Sequence, residues 1–117
     1  MPKVFYTGER YKVIFTDLAQ ETFKQLSQDV QPESPFLALV ARIKKYADAG
    51  VLHSPEQLNN EGNGFFAIKS RGASLRAYFW YCQKERSVIV CSHLTMKKTA
   101  KLTPQDKATM EHERDNY

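Results

Sequence analysis

At 117 residues, 42% apolar and 12% aromatic, the chain has material for one packed core, so a single domain over 1–117 is expected and wholesale disorder is excluded. No apolar run approaches bilayer-spanning length, and the first residues lack the basic-then-apolar plan of a secretion signal. No membrane partner is therefore expected, and the expected location is cytoplasmic.

In chain order, Tyr11-Lys12-Val13-Ile14-Phe15 has the β-branched and aromatic density of a strand, with Val4-Phe5-Tyr6, before the Thr7-Gly8 break, as a candidate partner. Asp17 stands where a helix N-cap would, with Gln20 three residues on in the capping-box position. Ala19, Phe23, Leu26 and Val30 then recur at spacings of four, three and four, the pattern of one buried helical face, and Gln31-Pro32 ends it. Ser34-Pro35 opens a second helix. Its Phe36, Leu39, Val40, Ile43 and Ala47 should face inward and Lys44, Lys45 and Asp48 outward, and Gly50 should stop it. Stretch 53–64 is polar and turn-rich and reads as a surface connection. Three strands follow, over 65–70, 75–83 and 87–94, joined by turns at 71–74 and 84–86. Thr103 caps a last helix from Pro104 toward Arg114. The order predicts an α+β fold: a small antiparallel sheet with two N-terminal helices packed on one face and a C-terminal helix.

The net charge of +4 is unevenly spread. Positions 1–64 hold seven Lys/Arg against eight Asp/Glu, positions 65–101 hold eight against one, and positions 102–117 hold two against four. So basic a central segment suits a polyanion better than a lipid surface or an acidic small molecule. Alternation along 75–83 sets Leu75, Ala77, Phe79 and Tyr81 on one face and Arg76, Tyr78, Trp80 and Cys82 on the other. The first set is the expected core. The second would join Lys69 and Arg71 on an open face where cations meet phosphate and Tyr78 and Trp80 stack bases of single-stranded RNA. The alternative for the two rings is a second apolar layer under the C-terminal helix.

Neither a metal set nor a Ser-His-Asp hydrolase is legible, and no cofactor or metal is expected: the acids are scattered, and no His has an evident carboxylate orienter. Cys82 and Cys91 read as reduced strand thiols, and His53 and His112 as solvated. Metal-free RNA cleavage needs a base for the 2′-hydroxyl, cations for the phosphorane and an acid for the leaving oxygen. Lys69, Arg71, Arg76, His93, Lys97 and Lys98 contain the groups for all three tasks, with His93 closing its strand beside the Lys97-Lys98 loop.

Three stretches carry a family resemblance: Phe65-Phe66-Ala67-Ile68-Lys69, Arg76 followed by Tyr78-Phe79, and His93-Leu94-Thr95-Met96-Lys97-Lys98-Thr99 before Pro104. Together they resemble the RelE/HigB superfamily of type II toxins, most of all its phage-derived Gp49-like branch. The chain departs from that pattern at Thr95, where an aromatic is usual, and in Lys101-Leu102-Thr103-Pro104, which is one residue longer than usual. The resemblance implies a metal-independent endoribonuclease that cuts mRNA on the ribosome and is silenced by a cognate antitoxin, a helix-turn-helix protein encoded next door. It further implies that Arg76 holds the scissile phosphate, that Lys69, Lys97 and Lys98 share base and charge-stabilising roles, and that His93 is acid or base. Arg71, Tyr78, Trp80 and Lys101 would bind the RNA. Other readings are a non-enzymatic gyrase-type or other partner-binding inhibitor of the same fold and a plain RNA-binding domain.

Overall fold

Six strands in the order β1-β2-β6-β5-β4-β3 form the middle layer of the computed structural model, which describes residues 1–28, 34–54, 56–70, 75–96 and 102–117. The elements are β1 (Lys3–Thr7), β2 (Lys12–Phe15), α1 (Asp17–Leu26), α2 (Pro35–Ala49), β3 (Leu58–Gly62), β4 (Phe65–Lys69), β5 (Leu75–Tyr81), β6 (Val88–Met96) and α3 (Pro104–Asp115). The class is α+β, but the sheet is mixed, which corrects the antiparallel expectation. β2 runs parallel to β6, with Val13 opposite Ile89 and Phe15 opposite Cys91, while the other four pairings are antiparallel. The long excursion between β2 and β6 permits a crossover that a tight turn does not.

A second correction concerns stretch 53–64. It contains β3, whose Leu58, Asn59 and Asn60 pair with Ile68, Ala67 and Phe66 of β4. An Asn-rich edge strand has almost none of the composition that marks strands, and its ladder is borrowed from the neighbouring β4. Asn63 (φ 55°) and Gly64 (φ 82°) make the turn between them.

The helices begin and end for local reasons. Ser34 accepts from the Leu37 amide (3.2 Å) with Pro35 in the first turn, and Gly50 at φ 73° closes α2, as expected. For α1 the cap is Thr16 and not Asp17: the Thr16 hydroxyl accepts from the Ala19 amide (3.1 Å), and Asp17 sits in the first turn, where its charge still favours the helix dipole. α1 ends at Leu26, and Val30, Gln31 and Pro32 lie outside the described residues. Gly8 allows the β1–β2 turn to lie on the end of α2. A Cβ there would meet the Ala47 carbonyl carbon at 2.3 Å, and the Arg10 and Tyr11 amides donate to that carbonyl oxygen (2.8 and 2.9 Å).

Two cores lie on opposite faces of the sheet. The larger joins Ala19 of α1 and Phe36, Leu39, Ile43 and Ala47 of α2 to Val13, Phe15, Ile68, Leu75, Ala77 and Phe79. The smaller joins Met110 of α3 to Ile14, Phe65, Ala67, Tyr78, Trp80 and Val90. The alternation read along β5 therefore holds. No described helix is long and apolar enough to cross a membrane.

Candidate functional site

One end of the sheet collects the singled-out cations that fall within the described residues. Lys69, the last residue of β4, is paired with Arg76, and Arg76 with Thr95 of β6, so the three form one cross-strand row on one face. Behind them on the same face come Ala67, Tyr78 and His93, then Phe65, Trp80 and Val90. Arg71, Lys97, Lys98 and Lys101 lie outside the described residues.

The face is not open, which corrects the expectation of an exposed aromatic surface. Tyr78 and Trp80 are 0% and 3% exposed in the layer closed by Met110. Rings of that size gain more from burial than from water, and α3 supplies the cover. Arg76 is likewise 1% exposed, whereas Lys69 and Thr95 are half-buried. Lys69 thus offers a half-buried ammonium and Arg76 a buried guanidinium at paired positions of β4 and β5.

A β-bulge decides which side chains of β6 reach this face. Tyr78 is paired with His93 but Phe79 with Cys91, so Ser92 is the extra residue. The extra residue turns His93 and Thr95 toward the Arg76 side and Leu94 into the larger core. The bulge lies where β2 ends, at Phe15, and helix side chains take over from the missing strand. The Thr16 hydroxyl donates to the Ser92 carbonyl (2.8 Å), and the Leu94 amide donates to Thr22 (2.9 Å). Across the sheet, beyond the start of β3, Arg42 of α2 donates to the Lys69 carbonyl (2.6 Å). These groups satisfy backbone positions at the ladder's edges where no strand among the described residues pairs with them.

His93 has a carboxylate orienter, contrary to the sequence reading. Its Nε2 lies 3.1 Å from Asp106 Oδ1, its Nδ1 lies 2.9 Å from Ser92 Oγ, and its ring is 5.2 Å from that of Tyr78. Asp106 is itself held, because Thr103 Oγ1 donates to Oδ2 (2.9 Å) and accepts from the Asp106 amide (3.1 Å). One consistent assignment has Ser92 donating to Nδ1 and Nε2–H donating to Asp106. With both ring nitrogens engaged and 5% exposure, His93 ties α3 to β6. His53 and His112 are exposed, and Cys82 and Cys91 are free thiols.

Sequence reasoning missed Asp106, Thr22 and Arg42. The spacing of Thr103 and Asp106 was a visible capping-box signal. Nothing in the sequence joined it to His93, and Thr22 and Arg42 carry no local signal at all. Among the described residues no group of three or more His, Cys, Asp and Glu converges as a metal site would require. No family model matches the chain, and no curated protein matches it in sequence.

Proposed function

We propose that this chain is the toxin of a type II toxin-antitoxin pair, with a RelE-like arrangement of its elements, and that it cuts mRNA on the ribosome without a metal. The observation that carries the reading is the row Lys69–Arg76–Thr95 at one sheet end, with Lys97 and Lys98 following β6 directly in sequence. In this reading Lys69 and the lysine pair share the work around the scissile phosphate: one, as the free amine, takes the 2′-hydroxyl proton, and another, as the ammonium, stabilises the phosphorane and gives a proton to the leaving 5′-oxygen. Arg76, buried on its strand, supplies a fixed positive charge behind the phosphate as negative charge develops. His93, oriented by Asp106, fixes the strand rather than donating a proton. The partners are the ribosome with its mRNA and a cognate antitoxin, a helix-turn-helix protein encoded next door.

Induced expression with primer extension on cellular mRNA, with and without the neighbouring gene, tests the reading. Growth arrest with discrete cuts, both relieved by the neighbour, is expected. Arg76→Gln should lower cleavage about a hundredfold, or about 3 kcal/mol in the barrier. Because Arg76 is buried, its thermal unfolding is measured alongside. Intact mRNA under full arrest sinks the nuclease. That result would favour a second reading, a non-cutting binder of RNA or of a protein partner.

A further inference from the structure

At the opposite end of β4 and β5, about 15 Å along the strands from the cationic row, lies a second feature. A cavity of about 380 Å³ opens between the β3–β4 turn and the end of β5, at the lower end of the size range of small-molecule sites. Arg114 of α3 donates from Nη1 to the Asn63 carbonyl (2.7 Å) and lies over the Phe65 ring, 4.1 Å from the centroid. Gly64 leaves room for this approach, since a Cβ there would sit 3.2 Å from Nη1. No ion pair among the described residues engages Arg114, so its remaining donors keep their fork geometry for an anion.

The rest of the lining is aromatic and carboxamide. The cavity wraps over the strand ends, with Arg114 and Trp80 on the α3 side and Phe66 and Tyr81 on the α2 side. Phe66 and Tyr81 meet edge to face (5.1 Å), half-buried, with Phe79 stacked behind Phe66 (5.7 Å). At the rim stand the exposed Asn63 and Gln83. Gln83 spends its Nε2 on the Tyr81 carbonyl (3.3 Å), which leaves its oxygen to accept. A carboxamide offers the donor and acceptor that a base edge requires, an aromatic wall offers it a stacking surface, and a fixed arginine takes the phosphate.

We propose that this cavity holds one nucleotide of an RNA strand: the base against Phe66 and Tyr81, its edge read by Asn63 and Gln83, its phosphate on Arg114. This extends the RNA reading of the chain to a second, non-cutting contact at the far pole. Titration of the full-length ¹⁵N-labelled chain with adenosine 5′-monophosphate, in parallel with ribose 5-phosphate and with acetate, tests it by NMR. Saturable shifts at Asn63, Gly64, Gln83 and the Trp80 indole are expected with the nucleotide alone. Arg114→Gln should weaken binding about tenfold and Gln83→Ala about threefold, as expected for a charge-assisted and a neutral contact. If Arg114→Gln releases α3, Gln83→Ala still decides, because that side chain is exposed and its hydrogen bond among the described residues is local, to the Tyr81 carbonyl. Equal shifts with ribose 5-phosphate reduce the cavity to an anion anchor, and equal shifts with acetate make it a carboxylate site for an acidic peptide. Either result, or no saturable shift, overturns the proposal. A chain that cuts mRNA without these shifts loses only the cavity, and one that shifts without cutting loses only the nuclease.

Discussion

The face under α1 and α2 buries Phe15, Leu39, Ile43, Phe79 and their neighbours in one continuous apolar cluster, whereas the face under α3 is held in a different way. Met110 is the one described buried residue of α3, while α2 buries Phe36, Leu39, Ile43, Tyr46 and Ala47. Polar and aromatic ties do the rest for α3: His93 to Asp106 at its start, Arg114 to Asn63 near its end, and Tyr117 edge-on to Trp80 (5.9 Å). The second face also buries Arg76, Ser92 and His93, groups that cost free energy to remove from water even when bonded. Stability is thus concentrated on one face, and the candidate chemistry on the face that spends some of it.

The largest effect should come from breaking the first face. Leu39 is fully buried, and Leu39→Ala should cost about 2–5 kcal/mol of global stability in chemical denaturation. A loss below about 1 kcal/mol would mean that the apolar cluster is not what holds the fold.

Next comes the tie at the start of α3. Asp106→Ala leaves a buried imidazole nitrogen without its partner, at a cost of about 1–3 kcal/mol. The cost should be local: hydrogen exchange should quicken over 104–115 while the Ala77 and Phe79 amides of β5 keep their protection. Equal loss in β5 would show that the two faces open together and would remove the contrast between them.

How much of this was legible follows the range of each signal. Ser34-Pro35, Gly50 and Thr103-Pro104 mark helix ends because a cap acts within four residues, and alternation along 75–81 sorted two faces because a strand imposes period two. Contacts between distant segments left no local trace. The parallel pairing of β2 with β6 and the edge strand β3 depend on partners far along the chain. The Ser92 bulge inverts the alternation of β6 through Thr16 and Thr22, some seventy residues earlier. The candidate site was legible as a set of cations, but which of them are covered depends on where α3 lies.

Alkaline pH offers a smaller perturbation of the first face. Burial, and then the hydrogen bond between the Tyr46 and Tyr81 hydroxyls, pushes Tyr46 far above the usual phenol range, and burial also raises Tyr81. A folded pKa above the unfolded one means that the stabilisation is complete below about pH 10 and is lost as pH rises further, most steeply through Tyr46 and, with solvent screening, more weakly through the half-buried Tyr81. Of the six tyrosines, those that ionise last should do so together with the loss of circular dichroism. Six tyrosines titrating near pH 10 with the helices intact would refute the buried pair.

The smallest effect tests whether the first face also shapes the second. Beyond Cys91, no strand among the described residues pairs with β6 on its β2 side, and Thr22 of α1 takes the Leu94 amide in place of one (2.9 Å). Thr22→Val keeps the β-branched shape and removes the acceptor, and because the position is half-buried, water can replace it in part. The cost should be about 1 kcal/mol, read as roughly fivefold faster exchange of the Leu94 amide, with Thr22→Ser restoring the original rate. Releasing Leu94 loosens the bulge that turns His93 and Thr95 toward Arg76, so cleavage should fall through kcat while KM holds. Unchanged Leu94 exchange in Thr22→Val would show that the bulge stands on β5 alone. Faster exchange with unchanged cleavage would instead show that the α1 side of the sheet has no hold on the site.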